Sequence, residues 1–251
     1  MREIEFKKDG AELRVLPHFA PRLQQMNFTK AKLIEAAKRS AKDESLSSSL
    51  RGNLSRGTHF ILGEKESIFL LKKYSKERAA QEHELLKQLR KAGVSALEPV
   101  GTAEIDGMHF VITPLVKDAQ TAWNYTYGIT NNKQKLLALA RVMGTTIGAA
   151  HRFGLQHKDL RPDNILIKTD ANGIATEAIL TDFESSNAPQ LDRRKKQVDL
   201  APLLYGISLG VHRKVTHEEK SVFLHAYDPK LGVTFDRLQR INELKAKKGG
   251  K

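Results

Sequence analysis

The stretch from His151 to Phe183 constrains the fold and the chemistry of this chain more than any other. It carries the pattern H-x-D-x-x-x-x-N at His157, Asp159 and Asn164. An apolar run follows at once, then a polar turn, a second apolar run and the pair Asp182-Phe183. Carboxylate and amide oxygens from two segments are the hard ligands that magnesium prefers. Asp and Asn also favour turns, so turn residues before a strand are the purely structural alternative.

This pattern resembles the catalytic loop of the protein-kinase-like superfamily, and the resemblance covers roughly residues 51 to 210. It implies that Asp159 orients and finally deprotonates the acceptor hydroxyl, with ATP as the phosphoryl donor. It also implies that Asn164 and Asp182 are the ligands of Mg²⁺. Arg161 replaces the lysine common in protein kinases and is expected to stabilise charge on the transferring phosphoryl group. His157 is expected to pack and hydrogen-bond within the loop.

Upstream, a β-prone run and a leucine-rich helix carry two further residues of the resemblance. The run F-L-L-K-K is similar to V-A-I-K and places Lys72 at the lysine that contacts the ATP phosphates. Helical periodicity over Ser75 to Ala92 places Glu82 at the edge of a leucine face. The resemblance implies that Glu82 pairs with Lys72, whereas Glu84 is expected to be solvated.

The remaining nucleotide contacts are less specific. Gly52 and Gly57 bracket the sequence G-N-L-S-R-G, which could fold over nucleotide phosphates through backbone N–H groups. The middle glycine of G-x-G-x-x-G is missing, and two glycines near a hairpin are also ordinary turn residues. Pro114 and Leu115 fall at the family's hinge, whose backbone bonds the adenine edge.

The predicted fold class is α+β, with the bilobal architecture of protein kinases. We divide the chain into an N-terminal extension (1–50), a small N-lobe with an antiparallel sheet (51–116) and a compact, mainly helical C-lobe (117–251). Within the extension, Thr29 to Ala41 predicts a basic helix. That helix either packs on the small lobe or lies on a membrane surface.

In the C-lobe, residues 123–129 are interpreted as a polar-aromatic connection and Asn132 to Phe153 as a long helix beneath the catalytic loop. His151, near the end of that helix, is expected to be structural. The resemblance implies that Asp199 holds the catalytic loop from below. The basic run from Arg193 to Lys196 either faces an anionic substrate or is a solvated loop.

Charge and composition limit the partners. The formal net charge is +13, from 42 Lys and Arg against 29 Asp and Glu. This excess favours an anionic glycolipid, another phosphorylated acceptor or an anionic membrane face. Only 6% of the residues are aromatic, which disfavours nucleic acid as a partner. The absence of Cys excludes disulfides and Cys-ligated zinc.

Two features bear on the compartment. No apolar run approaches the ~20 residues that cross a bilayer, and the start of the sequence is charged where a signal peptide would be apolar. We therefore expect a cytoplasmic protein, and peripheral contact with the inner membrane is compatible with this expectation.

The end of the sequence departs from regulated protein kinases. Asp-Phe-Gly is replaced by Asp182-Phe183-Glu184, no A-P-E follows, and the C-terminal part is short. Together with F-L-L-K-K-Y and H-K-D-L-R-P-D-N-I-L-I, this makes the chain most similar to bacterial lipopolysaccharide core kinases, which phosphorylate Kdo or heptose on lipid A. A small bacterial Ser/Thr protein kinase is the alternative. A pseudokinase is disfavoured because the expected catalytic residues are all present.

Overall fold

The computed structural model describes residues 3–26, 28–40, 42, 55–64, 67–116, 118–183, 191–212 and 214–228. These residues divide into two compact units. The first unit is drawn from residues 1–90 and 97–117, and the second from residues 91–96 and 118–251. Among the described residues, no helix is long and apolar enough to cross a membrane.

In the described part of the first unit, six strands form one antiparallel sheet with the order β1-β2-β5-β6-β4-β3. The strands are β1 (Ile4–Lys8), β2 (Ala11–Val15), β3 (His59–Glu64), β4 (Ser67–Tyr74), β5 (Gly101–Ile105) and β6 (Met108–Pro114). Two of the hairpins turn on Asp-Gly pairs, at Asp9-Gly10 and Asp106-Gly107, in which every residue has positive φ. Asp-Gly is the preferred sequence for such two-residue turns.

The segment predicted as an N-terminal extension contributes to this sheet. Strands β1 and β2 pair along one edge, and β2 continues the sheet through β5. After them come a 3-10 turn (Pro17–Phe19) and the helices α1 (Ala20–Gln24) and α2 (Lys30–Ser40). Helix α2 contacts β3. Leu33 and Ala37 of α2 are buried, so this helix packs on the sheet, as one of the two predicted alternatives has it.

The core of the first unit lies on one face of the sheet. Alternate residues of β4, Phe69 and Leu71, are buried there, and the rings of Phe60 and Phe110 meet edge to face at 5.6 Å. Because side chains alternate along a strand, Lys72 lies on the other face. Helix α3 (Lys76–Lys91) follows β4 and buries Leu86 and Leu89.

The described part of the second unit is mainly helical. A small sheet contains β7 (Ala119–Thr121), β8 (Ile165–Thr169) and β9 (Ala175–Leu180). The helices are α4 (Ala122–Gly128), α5 (Lys133–Phe153), α6 (Arg193–Gly210) and α7 (His217–Tyr227), with a 3-10 turn at Pro162–Asn164.

Helix α4 corrects the prediction of a polar-aromatic connection at residues 123–129. Thr121 caps the helix by accepting a hydrogen bond from the backbone nitrogen of Asn124, 3.2 Å away. Tyr125 and Thr126 are buried, so tertiary packing outweighs the weak helix propensity of this sequence. The long helix was predicted correctly, and Asn132 is its N-cap.

Helices α5 and α7 pack closely because of two glycines. A Cβ atom at Gly148 would lie 2.3 Å from the carbonyl oxygen of Tyr227, and one at Gly144 would lie 2.5 Å from that of Phe223. Only glycine allows this approach. It brings Tyr227 beside the last turn of α5, where the candidate site begins.

Candidate active site

A buried carboxylate holds the backbone of the predicted catalytic loop. Asp199, on α6, accepts hydrogen bonds from the backbone nitrogens of His157 at 2.8 Å and Lys158 at 2.6 Å. Lys158 has a φ of 67°, a conformation that costs free energy in residues other than glycine. Hydrogen bonds to a charged acceptor are strong enough to stabilise it. The predicted role of Asp199 is therefore confirmed in the structure.

The same carboxylate continues into a buried network that sequence reasoning missed in part. His151 Nε2 lies 2.9 Å from Asp199 Oδ2, and His151 Nδ1 lies 2.5 Å from the Tyr227 hydroxyl. Burial, together with the nearby carboxylates of Asp228 and Asp199, raises the pKa of Tyr227, so its hydroxyl keeps its proton and can donate to His151. His151 was predicted to be structural. Nothing in the local sequence marks Tyr227, which is 76 residues away.

The structure brings together three of the predicted site residues, Asp159, Arg161 and Asn164. Asn164 Nδ2 donates to Asp159 twice, to the backbone oxygen at 2.8 Å and to Oδ2 at 3.0 Å. Arg161 Nε lies 3.0 Å from Asp159 Oδ1. The Asp159 side chain is 39% exposed, so a hydroxyl from solvent or substrate can reach it.

Strand pairing places Asp182 close to Asn164. The pair Ile165 and Leu180 closes the β8–β9 ladder, and the nitrogen of Thr181 donates to the oxygen of Asn164 at 3.0 Å. Asp182 comes next, with a φ of 63°.

The residues on either side of Asp182 are fixed by His157. Its Nε2 atom donates to the Thr181 oxygen at 2.8 Å, and its ring lies 5.3 Å from that of the buried Phe183. The predicted packing role of His157 is confirmed by these contacts.

The donor set fits a divalent cation of the magnesium type. Both hydrogen bonds of the Asn164 side chain use Nδ2, which leaves its oxygen as the atom that can ligate a metal. The Asp182 carboxylate adds an anionic oxygen. Among the described residues, no group of three or more His, Asp or Glu forms a complete metal cage. A site with two protein ligands suits Mg²⁺, which usually keeps waters and binds substrate phosphates.

The first unit carries the other predicted residues. Lys72 is half-buried, and its Nζ lies 5.1 Å from the centroid of the Tyr74 ring. Glu82 is buried on α3, and its carboxylate lies 3.9 Å from the guanidinium of Arg78. Glu84 is exposed, as predicted. The pairing of Lys72 with Glu82 stays a prediction.

The predicted glycine loop and hinge are described only in part. Gly57 has a φ of 68°, whereas Gly52 lies outside the described residues. The nitrogen of Leu115 donates to the oxygen of Ile68 at 2.9 Å, and Pro114 has no N–H group. At this pair, backbone carbonyls therefore remain as the groups that could bond adenine.

Helix α3 is fastened to the start of the chain. Glu3 lies 2.9 Å from His83 Nε2 and 3.0 Å from Lys87 Nζ. Burial would raise the pKa of Glu3, but its hydrogen bonds with His83 and Lys87 hold that pKa below its usual range. Burial lowers the pKa of His83, so the neutral ring donates through Nε2. Sequence reasoning did not find this contact between residues 80 positions apart.

A family model described as the lipopolysaccharide kinase (Kdo/WaaP) family matches residues 65–227, which is more than half of the chain. The chain belongs to this family. It is therefore a kinase, and the predicted resemblance to lipopolysaccharide core kinases is confirmed. The matched residues include the predicted catalytic loop, Asp182 and the network around Asp199.

Among solved structures, the chain resembles one described as WaaP in complex with acyl carrier protein. The TM-score is 0.60, with 20% sequence identity over 77% of this chain and 85% of that chain. At this identity the likeness shows the fold, and it confirms the predicted α+β, protein-kinase-like architecture. A search of curated proteins gives no match.

Proposed function

We propose that this kinase transfers the γ-phosphoryl group of ATP, with Mg²⁺, to a hydroxyl of a sugar in the lipopolysaccharide inner core, either Kdo or heptose. The observation that carries the proposal is the arrangement at Asp159, whose carboxylate is oriented by Asn164 and Arg161 and remains accessible. The family supports a sugar acceptor over the protein acceptor of a small Ser/Thr kinase.

Asp159 acts on the acceptor. Each of its carboxylate oxygens already accepts one hydrogen bond, and each has a further lone pair for the acceptor hydroxyl. As the hydroxyl oxygen bonds to the γ-phosphorus, the bond to the leaving ADP breaks and the hydroxyl proton passes to Asp159. A positioned base of this kind contributes roughly 10²–10⁴ in rate.

Arg161 supplies positive charge at the same point. Its Nε atom contacts Asp159, which leaves the terminal amino groups to contact oxygens of the transferring phosphoryl group. Asn164 and Asp182 would hold Mg²⁺, which neutralises charge on the triphosphate. Lys72, supported by Glu82, would contact the α- and β-phosphates. Gly52, Gly57, Pro114 and Leu115 complete the proposed nucleotide contacts.

Transfer of label from ATP tests the proposal. The purified protein is incubated with γ-labelled ATP and Mg²⁺, in parallel with a lipid A–Kdo acceptor and with a generic basic protein. We expect label on the glycolipid, and none when EDTA is added or when Asp159 is replaced by Ala. Label on the basic protein alone would favour the Ser/Thr protein kinase, and label that persists in EDTA would contradict the role of Mg²⁺.

A further inference from the structure

Three strongly exposed apolar side chains lie on neighbouring helices of the second unit. Tyr127, on α4, is 62% exposed, and Tyr205 and Leu209, on α6, are 54% and 47% exposed. The ring of His212, just after α6, meets that of Tyr127 edge to face at 5.2 Å, which joins the two helices. We call Tyr127, Tyr205 and Leu209 the apolar patch. Large apolar side chains grouped in this way on a protein surface mark interaction sites.

The patch continues along α6 as a stripe. Val198 and Pro202 are half-buried. Val198 comes three residues after Lys195, Pro202 four residues after Val198, and Tyr205 three residues after Pro202, a spacing that keeps them on one side of the helix. From Lys195 to Leu209 the stripe is about 20 Å long at 1.5 Å per residue. It therefore forms an elongated surface along the helix.

The stripe begins with cations in an unfavourable place for the helix itself. Arg194 and Lys195 are exposed in the first turn of α6, which contains no acidic residue. The N-terminus of a helix carries partial positive charge, so cations there oppose the helix dipole. Asp192 caps the helix by accepting from the nitrogen of Lys195 at 2.8 Å. The helix dipole therefore does not account for the position of Arg194 and Lys195 in the first turn. Attraction to an anionic partner would account for it.

The catalytic loop packs on the same helix. A Cβ atom at Gly206 would lie 2.6 Å from Cδ of Pro162, so the turn after Arg161 packs against Gly206, the residue that follows Tyr205. A surface that covers the apolar patch therefore comes close to the loop that carries Asp159.

We propose that the apolar patch, with Arg194 and Lys195, docks onto the surface of an anionic lipid bilayer, with α6 lying along the bilayer plane. Tyr side chains are favoured at the level of the headgroups, and cations are attracted to anionic lipids. A mixed apolar and basic surface is the usual composition of such interfacial elements. The proposal rests on the proposed function in one respect: a glycolipid acceptor sits in a bilayer, and docking beside the catalytic loop lets Asp159 reach its sugar.

Vesicle co-sedimentation, without nucleotide or acceptor, tests the surface alone. The probes are phosphatidylcholine vesicles with and without phosphatidylglycerol. We expect binding to the anionic vesicles, weakened by salt. The changes Arg194→Ser with Lys195→Ser should weaken it about 10- to 30-fold, and replacing the apolar patch with Ser should also weaken it. Matched controls away from the apolar patch, Arg90→Ser with Lys91→Ser on α3 and Ile4→Ser with Ile34→Ser in the first unit, should bind like the wild type.

A variant that binds vesicles more tightly shows that the effect of patch substitutions on binding does not come from misfolding. Leu209→Trp should bind anionic vesicles more tightly, because Trp is favoured at the interface, and its emission should shift to the blue. The proposal is overturned if the wild type does not bind anionic vesicles or if the patch variants bind them like the controls. It is also overturned if the patch substitutions alter self-association of the protein and leave vesicle binding unchanged. Phosphorylation of a water-soluble acceptor sugar should be unchanged in the patch variants. Absence of sugar kinase activity with vesicle binding intact would count against the proposed function only.

Discussion

The carboxylate of Asp199 lies 2.6 Å from the backbone nitrogen of Lys158, which has a positive φ, and so holds the residue directly before Asp159. Asp199→Asn should lower kcat with little change in the KM for ATP. The amide must turn its NH₂ group toward buried donors, which costs roughly 1–3 kcal/mol and lets the loop relax. Urea unfolding and steady-state kinetics check both effects. Asp192→Asn, on the same helix, is the control, because Asn caps helices as well as Asp. Equal kinetics in the two variants would contradict the positioning role.

Replacement of Asp159 by Ala separates chemistry from nucleotide binding. We expect turnover to fall roughly 10²–10⁴-fold while the Kd for ATP stays nearly constant, because the proposed role of Asp159 is to contact the acceptor. Single-turnover kinetics and calorimetry measure the two quantities. Asp163→Ala, in the same turn, is the control. A variant with near-wild-type turnover would remove Asp159 from the mechanism.

The change Asp182→Asn tests the metal site. At the proposed site it exchanges a charged ligand for a neutral one beside a hard cation, so ATP binding should lose much of its dependence on Mg²⁺. Calorimetry with and without Mg²⁺ gives the result. The matched control is Asp170→Asn in the β8–β9 turn, where the side chain accepts hydrogen bonds from two backbone nitrogens. Equal metal dependence in all three proteins would place the metal elsewhere.

The contact of Glu3 with His83 and Lys87 predicts a pH-dependent stability. The folded protein lowers the pKa of Glu3, so this carboxylate stabilises the fold above the ordinary pKa of about 4.3 and ceases to do so as the pH falls through the lowered value. The pKa of His83 is also lowered, so the unfolded chain binds more protons below about pH 6.5 and stability decreases there as well.

Glu3→Gln should therefore destabilise the protein at neutral pH, by about 1.5–3 kcal/mol for hydrogen bonds to charged groups. The difference from the wild type should shrink as the pH falls through the lowered pKa of Glu3, because below that pKa Glu3 is protonated in both states. Urea unfolding over a pH series measures it. Glu5→Gln is the control, because the pair of Glu5 with Arg14 is exposed and contributes less. A constant difference at every pH would show that the charge of Glu3 is not involved.

Local patterns in the sequence predicted a large part of this protein. The spacing of His157, Asp159 and Asn164 predicted the catalytic loop, and the similarity of F-L-L-K-K to V-A-I-K predicted a strand there that ends near Lys72. The helix from Asn132, and the place of Glu82 at the edge of a leucine face, followed from a 3.6-residue period. These features are encoded by neighbouring residues, because backbone geometry repeats over a few positions.

Tertiary structure decided the features that depend on residues far apart in the chain. Strands β1 and β2 join the sheet because β2 pairs with β5. Residues 122–128 form a helix because Tyr125 and Thr126 are buried. Tyr227 reaches His151 only because glycines let α7 approach α5. Such contacts leave no period in the sequence, since their free energy comes from burial and hydrogen bonds that exist only after the chain has folded.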